Sequence, residues 1–198
     1  MKLIIIGIMV LIICVLILVR VLNENISLEK VNANTPLINV KEILINDDGE
    51  VDSEEIIDIL EPLYKKVSFN SYLEYKKTMN SFTEQQQIVF VLDCYQGEVN
   101  NGGHDQFFYN PTGIVWEDAK RALEHLDCKE ELSILSEALT LFDNSCPSFD
   151  WNERQYQLEK IEGKGLDFDK LDDKFYEQEN LDEKLQIYIN KNRNKFYI

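Results

Sequence analysis

Residues 3–19 form an unbroken run of seventeen uncharged residues, nearly all Leu, Ile and Val, between Lys2 and Arg20. No polar stripe interrupts the run, so it lacks the pattern of a helix that packs one face on a soluble core. As a helix rising about 1.5 Å per residue, 3–22 spans about 30 Å, the thickness of a bilayer core. Val21-Leu22-Asn23-Glu24-Asn25 offers no cleavage site of small residues, and Ile13 ahead of Cys14 does not suit lipoprotein processing. Residues 1–22 therefore read as an uncleaved transmembrane anchor in contact with the lipid bilayer, giving a single-pass membrane protein.

Beyond the anchor the pattern changes. Residues 23–46 are Asn-rich, contain Pro36 and keep no period, as expected of a juxtamembrane tether, with at most a short extended piece at 37–45. From residue 47 to 198 apolar positions recur at helical spacing. A first helix opens at Asp52, with Glu55 completing a capping box and Ile56, Ile57, Leu60, Leu63, Tyr64 and Val67 as its buried stripe; Pro62 is expected to kink or break it. Thr83 caps a second helix with Gln86 in the reciprocal position. It has a broad apolar face (Ile88, Val89, Phe90, Val91, Leu92, Tyr95, Val99) and a stop at Asn100-Asn101-Gly102-Gly103. Further helices are expected at 113–126, 129–143 and 153–161. An acidic stretch at 166–179 follows, and a last helix capped by Asn180 or Asp182 runs to the basic end Lys191, Arg193 and Lys195, which complements the helix dipole. No hairpin pattern and no internal repeat is present. The fold class is all-α: a compact multi-helix domain following one N-terminal transmembrane helix.

Charge sharpens this picture. The chain has 36 Asp and Glu against 20 Lys and Arg, a net charge of −16. The anchor holds two of the bases and none of the acids, so the rest carries −18. Such a field repels phosphate, which excludes direct nucleic-acid binding through a basic patch. Two sets of carboxylates stand out: Asp47, Asp48, Glu50, Asp52, Glu54, Glu55, Asp58 and Glu61, and then Asp167, Asp169, Asp172, Asp173, Glu177, Glu179, Asp182 and Glu183. They are candidates for contact with a basic protein surface, against the plainer role of keeping a surface solvated. Four cysteines without C-x-x-C spacing and only two histidines supply no zinc site, and no cofactor is implied. The odd number of cysteines outside the anchor favours the cytoplasmic side, while positive charges flanking the span are nearly balanced.

One segment departs from a generic helix–loop–helix: Glu98-Val99-Asn100-Asn101-Gly102-Gly103-His104-Asp105-Gln106-Phe107-Phe108-Tyr109-Asn110. It resembles the N-G-G-x-x-Q-[FY]-[FY]-x-N box of a bacterial family of acidic helical domains, mostly of unknown function. That family includes a dimeric DNA-mimic protein that occupies the DNA-binding face of a transcription factor. The resemblance continues through Gly113, Trp116 and Ala122-Leu123 to Leu171-Asp172, Phe175-Tyr176 and Tyr188-Ile189 with Asn192, covering about residues 53–197. It implies an all-helical fold, a basic protein partner, a possible homodimer and no catalysis, although one fold hosts several roles.

Physically, the box is first a structural device. Gly102 and Gly103 are expected to supply positive φ and a close helix approach, with Asn101, Gln106 and Asn110 satisfying open backbone groups and Phe107 and Phe108 plugging the core. A polar ligand pocket around Asn100, His104, Asp105 and Gln106 is the functional alternative. His104-Asp105 with Cys94 as nucleophile, or Glu98, His104 and Asp105 around a metal, are weaker options because no spacing fixes their geometry. The sequence thus reads as a membrane-anchored, non-catalytic acidic interaction domain. A toxin-neutralising immunity or inhibitor protein is the alternative, and a pocket or enzyme at the Asn-Gly-Gly turn the outlier.

Overall fold

The computed structural model describes residues 53–178 and 181–196, with side chains from residue 56 onward. The expected anchor and tether lie outside the described residues, as do Asp47, Asp48, Glu50, Asp52 and Glu179 and the side chains of Glu54 and Glu55. Among the described residues no helix is long and apolar enough to cross a membrane. Those residues form eight α-helices and no strand: α1 (Ser53–Lys66), α2 (Tyr72–Met79), α3 (Glu84–Tyr109), α4 (Trp116–His125), α5 (Lys129–Leu139), α6 (Trp151–Gly163), α7 (Asp169–Tyr176) and α8 (Leu181–Lys191).

α3 is the centre of the domain, and its sequence explains why. Ile88, Val89, Phe90, Val91 and Leu92 are consecutive and all buried, so apolar groups point out on every side of the helix. A helix apolar all round must be enclosed. α1, α4, α6, α7 and α8 pack around it. Its start follows the expected capping box: the Thr83 Oγ1 accepts from the Gln86 amide, and the Thr83 amide donates to the Gln86 side chain.

Several expectations change in detail. On α1 the buried stripe is Ile56, Ile59, Leu60, Leu63 and Val67, whereas Ile57 is 65% exposed and Tyr64 46%. The tyrosine ring sits edge-on to Phe90 while its hydroxyl donates to Asp93 at the surface. α1 also runs through Pro62. The carbonyl that loses its partner belongs to Asp58, an exposed residue. α2 has no counterpart in the hydrophobic pattern, since only Tyr75 and Met79 of its eight residues are buried. The helix expected from residue 113 begins instead as a 3₁₀ turn, Pro111–Val115, and becomes α-helical at Trp116. α5 stops at Leu139, short of residue 143.

Candidate interaction site at the broken helix

The backbone of α3 leaves helical geometry at Gly102 (φ −168°, ψ 30°) and Gly103 (φ 73°, ψ −177°), dividing it into a long arm and a short arm. Only Gly103 is left-handed. The positive φ expected of both glycines belongs to it alone, because Gly102 is extended at φ, as any residue can be. Gly103 lies where a side chain is forbidden twice over: its φ/ψ pair is nearly exclusive to glycine, and a Cβ would fall on the Asp172 carboxylate.

That carboxylate pins the break. Asp172 Oδ1 accepts from the His104 backbone amide at 2.9 Å and from His104 Nδ1 at 2.5 Å. With the ring proton on Nδ1, Nε2 is left to accept from the Tyr95 hydroxyl at 2.8 Å. His104 and Tyr95 are fully buried. Burial, then the charges of Asp172 and Glu131, hold the Tyr95 hydroxyl well above its ordinary pKa, so it stays a donor. Phe168 stacks on the His104 ring and Phe175 meets it edge-on. One helical turn along α7, the Tyr176 hydroxyl donates to the Val99 carbonyl at 2.9 Å, closing a backbone acceptor at the end of the long arm.

A second cluster holds the outer side of the break. Glu98 accepts from Gln106 Nε2 (2.9 Å), from Asn110 Nδ2 (2.7 Å) and from the Thr112 hydroxyl. Gln106 and Asn110 therefore serve a carboxylate on the long arm, not the open backbone groups expected of them. The backbone task falls to Arg154 on α6. Fully buried, it donates to the carbonyls of Phe108 (2.7 Å), Asn110 (2.8 Å) and Ser148 (2.8 Å). Burial pushes its guanidinium down to about 10, opposed only by the charge of Asp150. Phe107 and Phe108 are fully buried, as expected of core plugs.

Beneath the short arm, α6 and α7 leave a groove of about 470 Å³. Six carboxylates line it (Asp105, Glu159, Glu162, Asp167, Asp169 and Asp172), over an apolar floor of Leu158, Ile161 and Phe168, with Tyr109 and Leu166 at the rim. Among the described residues no Lys or Arg lines it. Burial, and then the charges of Glu162 and Asp172, raise the Asp105 carboxyl above its ordinary pKa.

Of the four residues of the expected polar pocket, Asp105 and Gln106 share a cavity at the break with Asn101, Gly102, Tyr109 and Asn110, and the other two lie elsewhere. His104 is inside the core, Asn100 lines a cavity with Glu131, Asp105 faces the acidic groove and Gln106 bonds Glu98. His104 pairs with Asp172 rather than its neighbour Asp105, and both of its ring nitrogens are taken. Cys94 is buried, its thiol reaches the Tyr64 hydroxyl at 3.7 Å, and burial drives its pKa upward, which disfavours the thiolate. These residues form no Cys–His pair. Among the described residues no group of three or more His, Cys, Asp and Glu is placed to hold a metal ion. Of the acidic candidates, Asp58, Asp167, Asp169 and Asp173 are exposed, and Asp172, expected on the surface, is turned inward onto His104. Glu61 pairs with Lys65, and Asp182 accepts from Gln96. Sequence reasoning missed Arg154 and the Glu98 hub. Their partners are carbonyls and amides, which leave no charge pattern to read.

An acidic all-helical domain, organised on a central helix that is broken at paired glycines and pinned by a buried histidine and arginine, is the class these features define. The DMP19-like protein family matches residues 80–192, and the chain belongs to that family. The match contains the break, the groove and all three pinning clusters, whereas α1 and α2 precede it. It is narrower than the span of about 53–197 expected from the sequence motifs. The chain matches no curated protein and no solved structure.

Proposed function

We propose that this chain is a non-catalytic acidic interaction domain that binds a basic protein surface, held at a membrane by residues 3–22. Membership of the DMP19-like family supports the acidic-domain part of this reading, and the DNA-mimic role known in that family is the pattern it follows. The observation that carries it is the groove between the short arm of α3, α6 and α7. Six carboxylates converge there without a single lining cation. Among the described residues none of Asp105, Glu159, Glu162, Asp167 and Asp169 enters an ion pair. Carboxylates grouped on rigid helices raise the local density of negative charge toward that of a nucleic-acid backbone, which carries about one phosphate per 3.4 Å of each strand. A partner bringing Lys or Arg relieves their mutual repulsion, and the apolar floor adds contact area.

The test is a capture from native membranes with the detergent-solubilised full chain as bait, at low and high salt. Charges screened within about 8 Å at physiological ionic strength steer encounter less as salt rises, so association should slow several-fold while dissociation changes little. Neutralising Glu159, Glu162, Asp167 and Asp169 together should weaken capture to a similar degree. Capture indifferent to both salt and these changes would remove the reading.

A further inference from the structure

At the C-terminal end of α7, a second cavity of about 220 Å³ lies between α3, α5 and the start of α8. We infer that it receives the guanidinium of a single arginine side chain from the partner, an inference that rests on reading the chain as a binder of basic protein surfaces. Glu131 lines the cavity and is 1% exposed. Its Oε1 accepts from Lys184 Nζ at 2.6 Å, but its Oε2 makes no hydrogen bond among the described residues. A carboxylate oxygen removed from water and left without a donor is costly, and the fold retains it beside an open cavity.

The surroundings select the donor. Lys184 pairs with Glu131 through Oε1 alone, and the Glu130 charge acts on the same ammonium, so that one cation is shared between two carboxylates. Phe175 and Tyr176 supply two ring walls at 82° to one another, and the Tyr176 side chain is about half exposed although its hydroxyl is tied to Val99. Carboxamides of Asn100 and Gln178 stand at the same wall. A flat, weakly hydrated cation with several in-plane donors matches this set: it stacks on a ring while bonding a carboxylate oxygen and amide carbonyls at once. A lysine ammonium stacks less well and is more strongly hydrated. Because α7 also contributes Asp169 and Asp172 to the groove, one helix would serve both the acidic groove and, at its C-terminal end, the arginine socket.

The probe is N-acetyl-arginine amide, titrated by calorimetry and side-chain amide NMR into the detergent-solubilised full chain. N-acetyl-lysine amide and the neutral isostere N-acetyl-citrulline amide serve as comparisons. The arginine compound should bind several-fold tighter than the lysine compound and roughly tenfold tighter than the citrulline one, as expected for a charged hydrogen bond. Glu131→Gln should lose roughly that tenfold. Asn100→Ala and Gln178→Ala, at the rim, should each weaken binding several-fold with an unchanged melting temperature. No binding, equal binding of all three compounds, or full binding by a folded Glu131→Gln would overturn the socket. The two readings fail separately. Arginine-amide binding that survives while no salt-sensitive partner is found defeats only the partner proposal. Groove variants that abolish capture while the amide does not bind defeat only the socket.

Discussion

Glu98, Asp118 and Asp172 differ from Asp105, Glu159 and Glu162 in nothing that composition records, yet the fold treats the two groups in opposite ways. Asp172 takes the His104 ring and backbone, Glu98 takes two amides and a hydroxyl, and Asp118 takes Tyr75, Lys76 and Arg121. Each is an internal staple. Asp105, Glu159 and Glu162 enter no ion pair among the described residues, and the charges of Glu162 and Asp172 work against that of Asp105. The acids of the described domain therefore include two populations, one that bonds within the fold and one that lines the groove without an ion pair. The second population is the one that a functional reading should use.

The sharpest way to break this comparison is at Gly103. Gly103→Ala forces a side chain into glycine-only backbone space and onto Asp172, displacing the staple from a buried histidine. It should cost about 3 kcal/mol or more, read as a drop in the urea midpoint of the helical circular-dichroism signal. Next comes a paired test within α7. Asp172→Ala should destabilise by about 2–3 kcal/mol, whereas Asp169→Ala, one turn earlier and facing the groove, should stay within about 0.5 kcal/mol. Equal costs at the two positions would erase the distinction between staple and groove.

Opposite pH dependence follows. Burial works against the charge on Asp118, but Lys76 and the bonds from Tyr75 and Arg121 hold its carboxyl below the ordinary value. Its stabilising contribution is thus present above the ordinary carboxylate range and is lost as pH falls through the lowered folded-state value. Asp105 is shifted the other way. Its folded-state carboxyl binds a proton more readily than the unfolded one, so its favourable contribution exists at low pH and is lost as pH rises through the raised value. Asp118→Asn should accordingly lower stability at pH 7 and converge on wild type in acid. Asp105→Asn should raise it at pH 7 by a few tenths of a kcal/mol and also converge in acid, given the exposure of the group. The smallest effect is that of salt. Neutralising Glu159 and Glu162 together should raise the melting temperature by a degree or two at low ionic strength and by nothing measurable at high.

How far the sequence could be read follows from the range of the interactions. Local signals were legible: the Thr83/Gln86 capping box, the broad apolar face of the helix it opens, and the glycine pair that ends its long arm. α2 carries a local signal as well, since the Ser71 hydroxyl accepts from the Glu74 amide in an S-x-x-E start. It escaped notice because two buried residues make no periodic stripe. The groove was half legible: Asp167 and Asp169 stood among the acidic candidates, but Glu159 and Glu162 on α6 join them only through tertiary packing. Asp172 shows the limit most plainly. In an acidic run it looks like its neighbours, and only a histidine 68 residues away gives it a different role.

The pins of the glycine break also order events in time. Val99, Gly103 and His104 are synthesised well before the residues that hold them: Arg154 follows its first acceptor by 46 positions, Asp172 follows His104 by 68 and Tyr176 follows Val99 by 77. While the chain is emerging, the long arm of α3 can wind from its own capping box, but the bend below it has only the local Glu98 cluster to set its angle. Such late, long-range closures are slow and leave apolar surface uncovered in the meantime. A chain ended before α7 would hold every residue of the motif and still lack the Asp172 and Tyr176 pins, so the end of the domain acts as the clasp for its middle.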